Sequence, residues 1–165
     1  MKRNIWIIVL ILFQFHVYAK DLVTELMSKK ESSEGVMSVS ISGKMLRVLA
    51  ENDPKVDKDF KQLAKDIDQI KMVSNMEVDE ADRKELKKLL KPYEELMVVS
   101  EADGIVSMYT KEEKGKITEF VVCFEADDVL LLMSIAGNID LKKLSKLAKT
   151  IKIDGMKHLR KLDEK

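Results

Sequence analysis

The stretch MVVSEADGIVSMYTKEEKGKITEFVVCFEADDVLLLMSIAG, residues 97–137, decides the fold. Three turn signals divide it at short intervals: Asp103-Gly104, Lys114-Gly115 and Ala126-Asp127-Asp128. That spacing predicts four antiparallel strands joined as a meander. Along KITEFVVCF, Thr118, Phe120, Val122 and Phe124 share one face, while Ile117, Glu119, Val121 and Cys123 share the other. Both faces are partly apolar, and DVLLLMSIA is apolar on both. Such strands belong in the middle of a sheet whose second face is covered by helices, by another part of the chain or by a partner. A short apolar run does not by periodicity alone separate strand from helix. The alternative for DVLLLMSIAG is a buried helix, capped by Asp127 or Asp128 and ended by Gly137.

Upstream, KDLVTELMSKK carries Leu22, Val23, Leu26 and Met27 at helical spacing. GVMSVSIS alternates Val36, Ser38 and Ser40 against Met37, Val39 and Ile41, the period of a strand with one apolar face. GKMLRVLAEN returns to helical spacing through Met45, Leu46 and Leu49, and Asn52-Asp53-Pro54 ends it. VDKDFKQLAKDI predicts a helix burying Phe60, Leu63, Ala64 and Ile67, followed by a short strand around IKMVSN. From Asp79 a helix carries Leu86, Leu89, Leu90 and Tyr93 on one side, with acids first and lysines later, as the helix dipole favours. Beyond the meander, Leu141, Leu144, Leu147 and Ile151 mark an amphipathic helix capped by Asp140, and IDGMKHLRKLDEK predicts one last short helix. The element order is therefore α-β-α-α-β-α-β-β-β-β-α. The fold class is α+β, an antiparallel sheet with a four-stranded meander in the C-terminal half and helices packed against it.

The 165 residues suffice for a single domain. The first of them, MKRNIWIIVLILFQFHVYAK, have a basic start at Lys2 and Arg3, an apolar run from Ile5 to Phe15, and small residues up to Ala19. This pattern predicts a secretory signal peptide over 1–19, cleaved after Ala19, with a domain over 20–165. The apolar run is shorter than the roughly 20 residues of a spanning helix. No cysteine stands near the cleavage point, so lipoprotein anchoring is not expected.

The chain has 29 basic and 29 acidic residues, and loss of Lys2 and Arg3 would leave a net charge of −2. Such a balance argues against nucleic acid, whose phosphates require a basic surface. Cys123 is the sole cysteine, so no internal disulfide forms, and its apolar neighbours predict a buried core thiol.

Four segments together carry a resemblance. VMSVSISGKMLRVLAE (36–51), DIDQIKMVSN (66–75), PYEELMVVSEADGIVSMYTKEEKGKITEFVVCF (92–124) and SIAGNIDLKKLSKLAKTIKIDGMKHL (134–159) resemble the domain of unknown function family 4252, small exported proteins of Bacteroidetes-like bacteria. The resemblance covers residues 22–162. It implies an extracytoplasmic α/β module with no established activity, and it supplies no catalytic residue. Many relatives carry a lipoprotein cysteine; its lack here favours a free periplasmic form.

The chemistry on offer is sparse. His158 is the single histidine after residue 19, no G-x-S-x-G elbow exists, and Cys123 lies on an apolar strand, which disfavours nucleophilic hydrolysis and a zinc site. Acids pair at Glu94-Glu95, at Glu101 with Asp103, and at Glu125 with Asp127 and Asp128. At hairpin tips these read as solvated, with a weak calcium site at the last set as the alternative. The loop SIAGNID has one glycine and opens its helix with Asp140. It reads as a strand end, a Gly137-Asn138 turn and an aspartate cap, rather than a phosphate cradle. Neither catalytic residues nor a cofactor are expected.

Two functions remain. The first is a non-enzymatic periplasmic binding or interaction module, with a homodimer or an extracytoplasmic protein covering the excess apolar sheet. The second is an enzyme using carboxylates, with or without a divalent ion. Membrane-surface contact through Lys142, Lys143, Lys146 and Lys149 is the weakest of the partner readings.

Overall fold

The computed structural model describes residues 22–150, apart from 31–34, 55, 57, 76 and 77. The leader and the IDGMKHLRKLDEK tail lie outside the described residues. The elements are α1 (Leu22–Lys30), β1 (Val36–Ser42), α2 (Gly43–Asn52), α3 (Lys58–Asp66), β2 (Ile67–Asn75), α4 (Glu80–Leu89), β3 (Glu94–Glu101), β4 (Gly104–Glu113), β5 (Lys116–Glu125), β6 (Leu130–Ile139) and α5 (Leu141–Thr150). Their order is the one the periodicity predicts, and LLLMSIAG of the DVLLLMSIAG run lies in strand β6 rather than in a helix.

The six strands form one sheet in the order β1-β2-β6-β5-β4-β3, every neighbouring pair antiparallel. Strands β3 to β6 are the meander. Its β4–β5 turn places Lys114 and Gly115 at φ 54° and 73°, the left-handed pair that matches the twist of a tight hairpin. The meander's last strand, apolar on both faces, lies between β5 and β2 in the interior of the sheet, where such a strand is covered twice.

Two apolar clusters form on opposite faces of the sheet. On the first, Phe120, Val122, Ile135 and Met108 meet Leu46 and Ala50 of α2, Leu63 and Ala64 of α3, and Leu144 of α5. On the second, Val121, Cys123, Leu132 and Val73 meet Leu22, Val23 and Leu26 of α1 and Leu86 of α4. Alternation along β5 thus sends Phe120 and Val121, both 0 % exposed, to different layers. Burying two such side chains removes several hundred Å² of apolar surface from water at roughly 25 cal/mol per Å².

Helix ends follow their local chemistry. Asp79 accepts from the Asp82 amide at 2.8 Å, and the Asp82 carboxylate accepts from the Asp79 amide at 3.3 Å, a reciprocal cap for α4. Asp140 accepts from the amides of Lys142 (2.9 Å) and Lys143 (3.3 Å) and caps α5.

One expectation requires correction. Gly137 and Asn138 are not a turn, because β6 runs on to Ile139. Gly137 pairs with Ile67 instead, where the β2–β6 register shifts, and it holds φ 149°. A side chain there would meet the Asp66 carbonyl oxygen at 2.3 Å. The glycine serves close approach of the α3–β2 junction rather than reversal of the chain.

Candidate functional site

Among the described residues, five of the seven exposed large apolar side chains lie at one margin of the sheet; the other two, Val98 and Ile105, are on β3 and β4 toward the opposite margin. β1 is an edge strand, and its Met37 and Val39 are 57 % and 40 % exposed. They share the face on which Ile41 joins the first cluster. Helix α2 follows directly after Ser42, whose hydroxyl oxygen accepts from the Met45 amide at 3.3 Å, and packs over β1 and β2. Gly43, Leu46 and Ala50 are its buried stripe. Met45, Val48 and Leu49 form a second apolar stripe and are 51, 44 and 49 % exposed. Five apolar side chains from two adjacent elements therefore meet solvent at one edge.

The two sheet edges differ. β3, the opposite edge, carries Glu94, Glu95 and Glu101, and its pairing shifts register between Glu95 and Met97. Charges and bulges of this kind keep an edge strand from recruiting another strand. β1, VMSVSIS, has no charge and no proline, and its register with β2 runs unbroken from Val36 to Ser42.

The sequence reading placed Met45 and Leu49 on the helical stripe of α2 together with Leu46. Only Leu46 is buried. The available signal was that α2 is apolar on two sides, which exceeds what one sheet contact covers.

The paired acids at the hairpin tips are, apart from half-buried Glu125, exposed, as expected, but the two tips converge. Glu101 and Asp103 at the β3–β4 tip and Glu125, Asp127 and Asp128 at the β5–β6 tip line one cleft of ≈ 710 Å³. The pairing of Ile105 with Glu125 brings the two tips to the same end of the sheet. Arg83 of α4 enters this cleft and donates to Glu125 Oε2 (3.1 Å) and to the carbonyls of Ala126 (2.7 Å) and Asp127 (2.8 Å). One guanidinium thus ties the last meander turn to α4, using its fork of donors. Glu94 and Glu95 stand at the other end of β3. Among the described residues, no three His, Cys, Asp or Glu side chains come together in a way that would hold a metal ion.

Glu119 is a buried carboxylate, 4 % exposed. The Tyr93 hydroxyl donates to its Oε2 at 2.7 Å and the Ser134 hydroxyl to its Oε1 at 2.5 Å. Lys71, opposite Ser134 in the β2–β6 register, reaches the Thr24 hydroxyl of α1. Of the basic face on α5, Lys143 is committed to Asp66 at 2.9 Å, and that hydrogen bond raises its pKa.

Cys123 is 1 % exposed. Burial, followed by the nearby Glu125 carboxylate, pushes its thiol far above the ordinary value of 9.0. The folded thiol stays protonated where the unfolded one ionises, so this stabilisation is complete below about pH 9 and is lost as pH rises beyond it. Half-buried Tyr109 has a raised pKa as well, chiefly from desolvation, and acts in the same direction. Urea unfolding at pH 8, 9 and 10 will show the wild type losing about 1.4 kcal/mol per pH unit more than Cys123→Ala above pH 9. Parallel profiles for the two proteins would contradict the assignment. A thiol reagent at pH 8 will leave the folded protein unlabelled and label it in denaturant.

No helix among the described residues is long and apolar enough to cross a membrane. No curated protein and no solved structure gives a significant match to the chain. A family model does match, over residues 21–147, that of the Domain of unknown function (DUF4252). This span takes in every strand of the sheet and nearly all of the helical cover, and the chain belongs to the DUF4252 family.

Proposed function

We propose that this is an exported, periplasmic protein that acts by binding another protein rather than by catalysis, through the β1–α2 margin. The observation that carries this reading is the exposure of Met37 and Val39 on an uncharged edge strand and of Met45, Val48 and Leu49 on the helix packed over it. Apolar surface of this kind, denser at this margin than at the other, where Val98 and Ile105 are exposed, is where association releases water. The leader supports export, with Ala19 as the last residue removed. With no cysteine beside that point to acylate, the proposed mature form is free in the periplasm.

A photo-crosslinking amino acid placed at Met45 in the exporting cell tests the surface. A discrete adduct is expected there and none from the same probe at exposed Lys87 on α4. Failure of the Met45 probe to give any adduct would overturn the reading. Cell fractionation with N-terminal mass spectrometry checks export; the expected first residue is Lys20.

The convergence of acids from two hairpin tips favours a second reading, a carboxylate-based or divalent-metal-assisted enzyme acting in the cleft beside Arg83. A melting temperature unmoved by millimolar calcium or magnesium would remove the metal-assisted form of it.

A further inference from the structure

Resting on the β1–α2 reading above, we infer that the partner is a second copy of this chain, joined across a two-fold axis that pairs β1 with β1 and lays α2 beside α2. As an edge strand with one neighbour, β1 turns about half of its N–H and C=O groups away from β2, and antiparallel pairing with its own copy satisfies them. An uncharged strand meets itself without like charges in apposition.

Spacing across the sheet fits the helices as well. Strands lie about 4.8 Å apart, so α2, seated over β1 and β2, lies about half a spacing inside β1, and the two-fold lies about half a spacing outside it. The two α2 axes are then about 10 Å apart, the separation at which helices pack. Along the strand direction the elements also agree. The midpoint between Lys44 and Glu51 is about 7 Å into the helix at 1.5 Å per residue, and Ser40 is about 7 Å back from Ser42 at 3.3 Å per residue. One axis passing near Ser40 therefore serves both contacts.

Charge selects the chain itself as occupant. Lys44, Arg47 and Glu51 make a third stripe on α2, beside the exposed Met45, Val48 and Leu49. In an antiparallel α2 pair, basic Lys44 at one end faces Glu51 of the partner subunit at the other, twice by symmetry, above a seam of methionine, valine and leucine. The edge is thus complementary to itself in backbone, apolar stripe and charge.

Light scattering on the purified mature protein, with and without Val39→Lys and Leu49→Glu, tests this. Both positions are exposed, so the variants should keep the wild-type circular dichroism and melting curve. The wild type is expected to be a dimer, and each variant to weaken its dissociation constant at least about a hundredfold by placing like charges together at the seam. Ser40→Cys, which lies on the axis, should give a disulfide-linked dimer on mild oxidation, since Cys123 is buried and contributes no background. A monomeric wild type overturns the inference, and so does a dimer that survives both charge variants. If the Met45 probe captures a different protein while the chain is monomeric, the β1–α2 reading stands and the second copy falls. If it captures nothing, both fall.

Discussion

Gly137→Ala will lose about 3 kcal/mol or more of stability, equivalent to roughly 10 °C in melting temperature for a chain of this size. Two costs combine. The backbone at Gly137 holds φ 149°, a conformation that residues with a Cβ rarely adopt. The added carbon would also stand 2.3 Å from the Asp66 carbonyl oxygen, 2.9 Å from Ile67 Cα and 3.0 Å from the Asp68 amide nitrogen. All three are main-chain atoms, so no side-chain rotation relieves the clash. The α3–β2 junction would have to move, and with it Asp66, which holds Lys143 of α5. Gly115→Ala is the control: its φ is 73°, but nothing lies within 4 Å of the added carbon. It should cost about 1 kcal/mol. Equal losses for the two variants would mean that conformation alone, and not the close approach, sets the requirement at Gly137.

Gly137 also shows where reading along the chain stops being informative. A glycine after an apolar run and before a capped helix reads as a turn, and Asp140 does cap α5. The need for glycine comes instead from Asp66, 71 residues earlier, pressed against β6 by a register shift in β2, and no local pattern carries such a contact. The meander was legible because turn chemistry and alternation are local. That both faces of the sheet are covered was legible because β5 and β6 are apolar on both, which only an interior strand tolerates; that helices supply both covers was not. The apolar margin was hidden for a related reason. Met45, Val48 and Leu49 have the spacing of a core stripe, and which of two apolar stripes on α2 is buried depends on where β2 and α3 lie. The acidic cleft was hidden because the antiparallel order of β3 to β6 is what returns Glu101 and Asp103 to the same end as Glu125 and Asp127. Sequence distance alone separates those pairs.

Glu119→Leu will cost about 3 kcal/mol, although leucine suits the apolar face that Glu119 shares with Val121 and Cys123. The Ser134 and Tyr93 hydroxyls both spend their protons on this carboxylate, and Ser134 is 2 % exposed, so its hydroxyl is left without water or acceptor. A buried donor stripped of its acceptor costs about 1–3 kcal/mol, whereas an apolar replacement of all the partners together is close to neutral. The triple variant Glu119→Leu, Tyr93→Phe, Ser134→Ala should therefore recover most of what Glu119→Leu loses, and Glu119→Gln, which keeps one acceptor, should fall between. Urea unfolding measures all of these, and the non-additivity is the informative quantity. A buried carboxylate is also the kind of group that reads as an acid-base catalyst. Recovery in the triple variant, with binding through the β1–α2 margin unchanged, assigns Glu119 to structure: it pins the bulged start of β5 to β6 and to the α4–β3 link through Tyr93. If the triple variant remains as unstable as Glu119→Leu, the hydroxyls are not what the carboxylate serves, and a role for its charge would take their place.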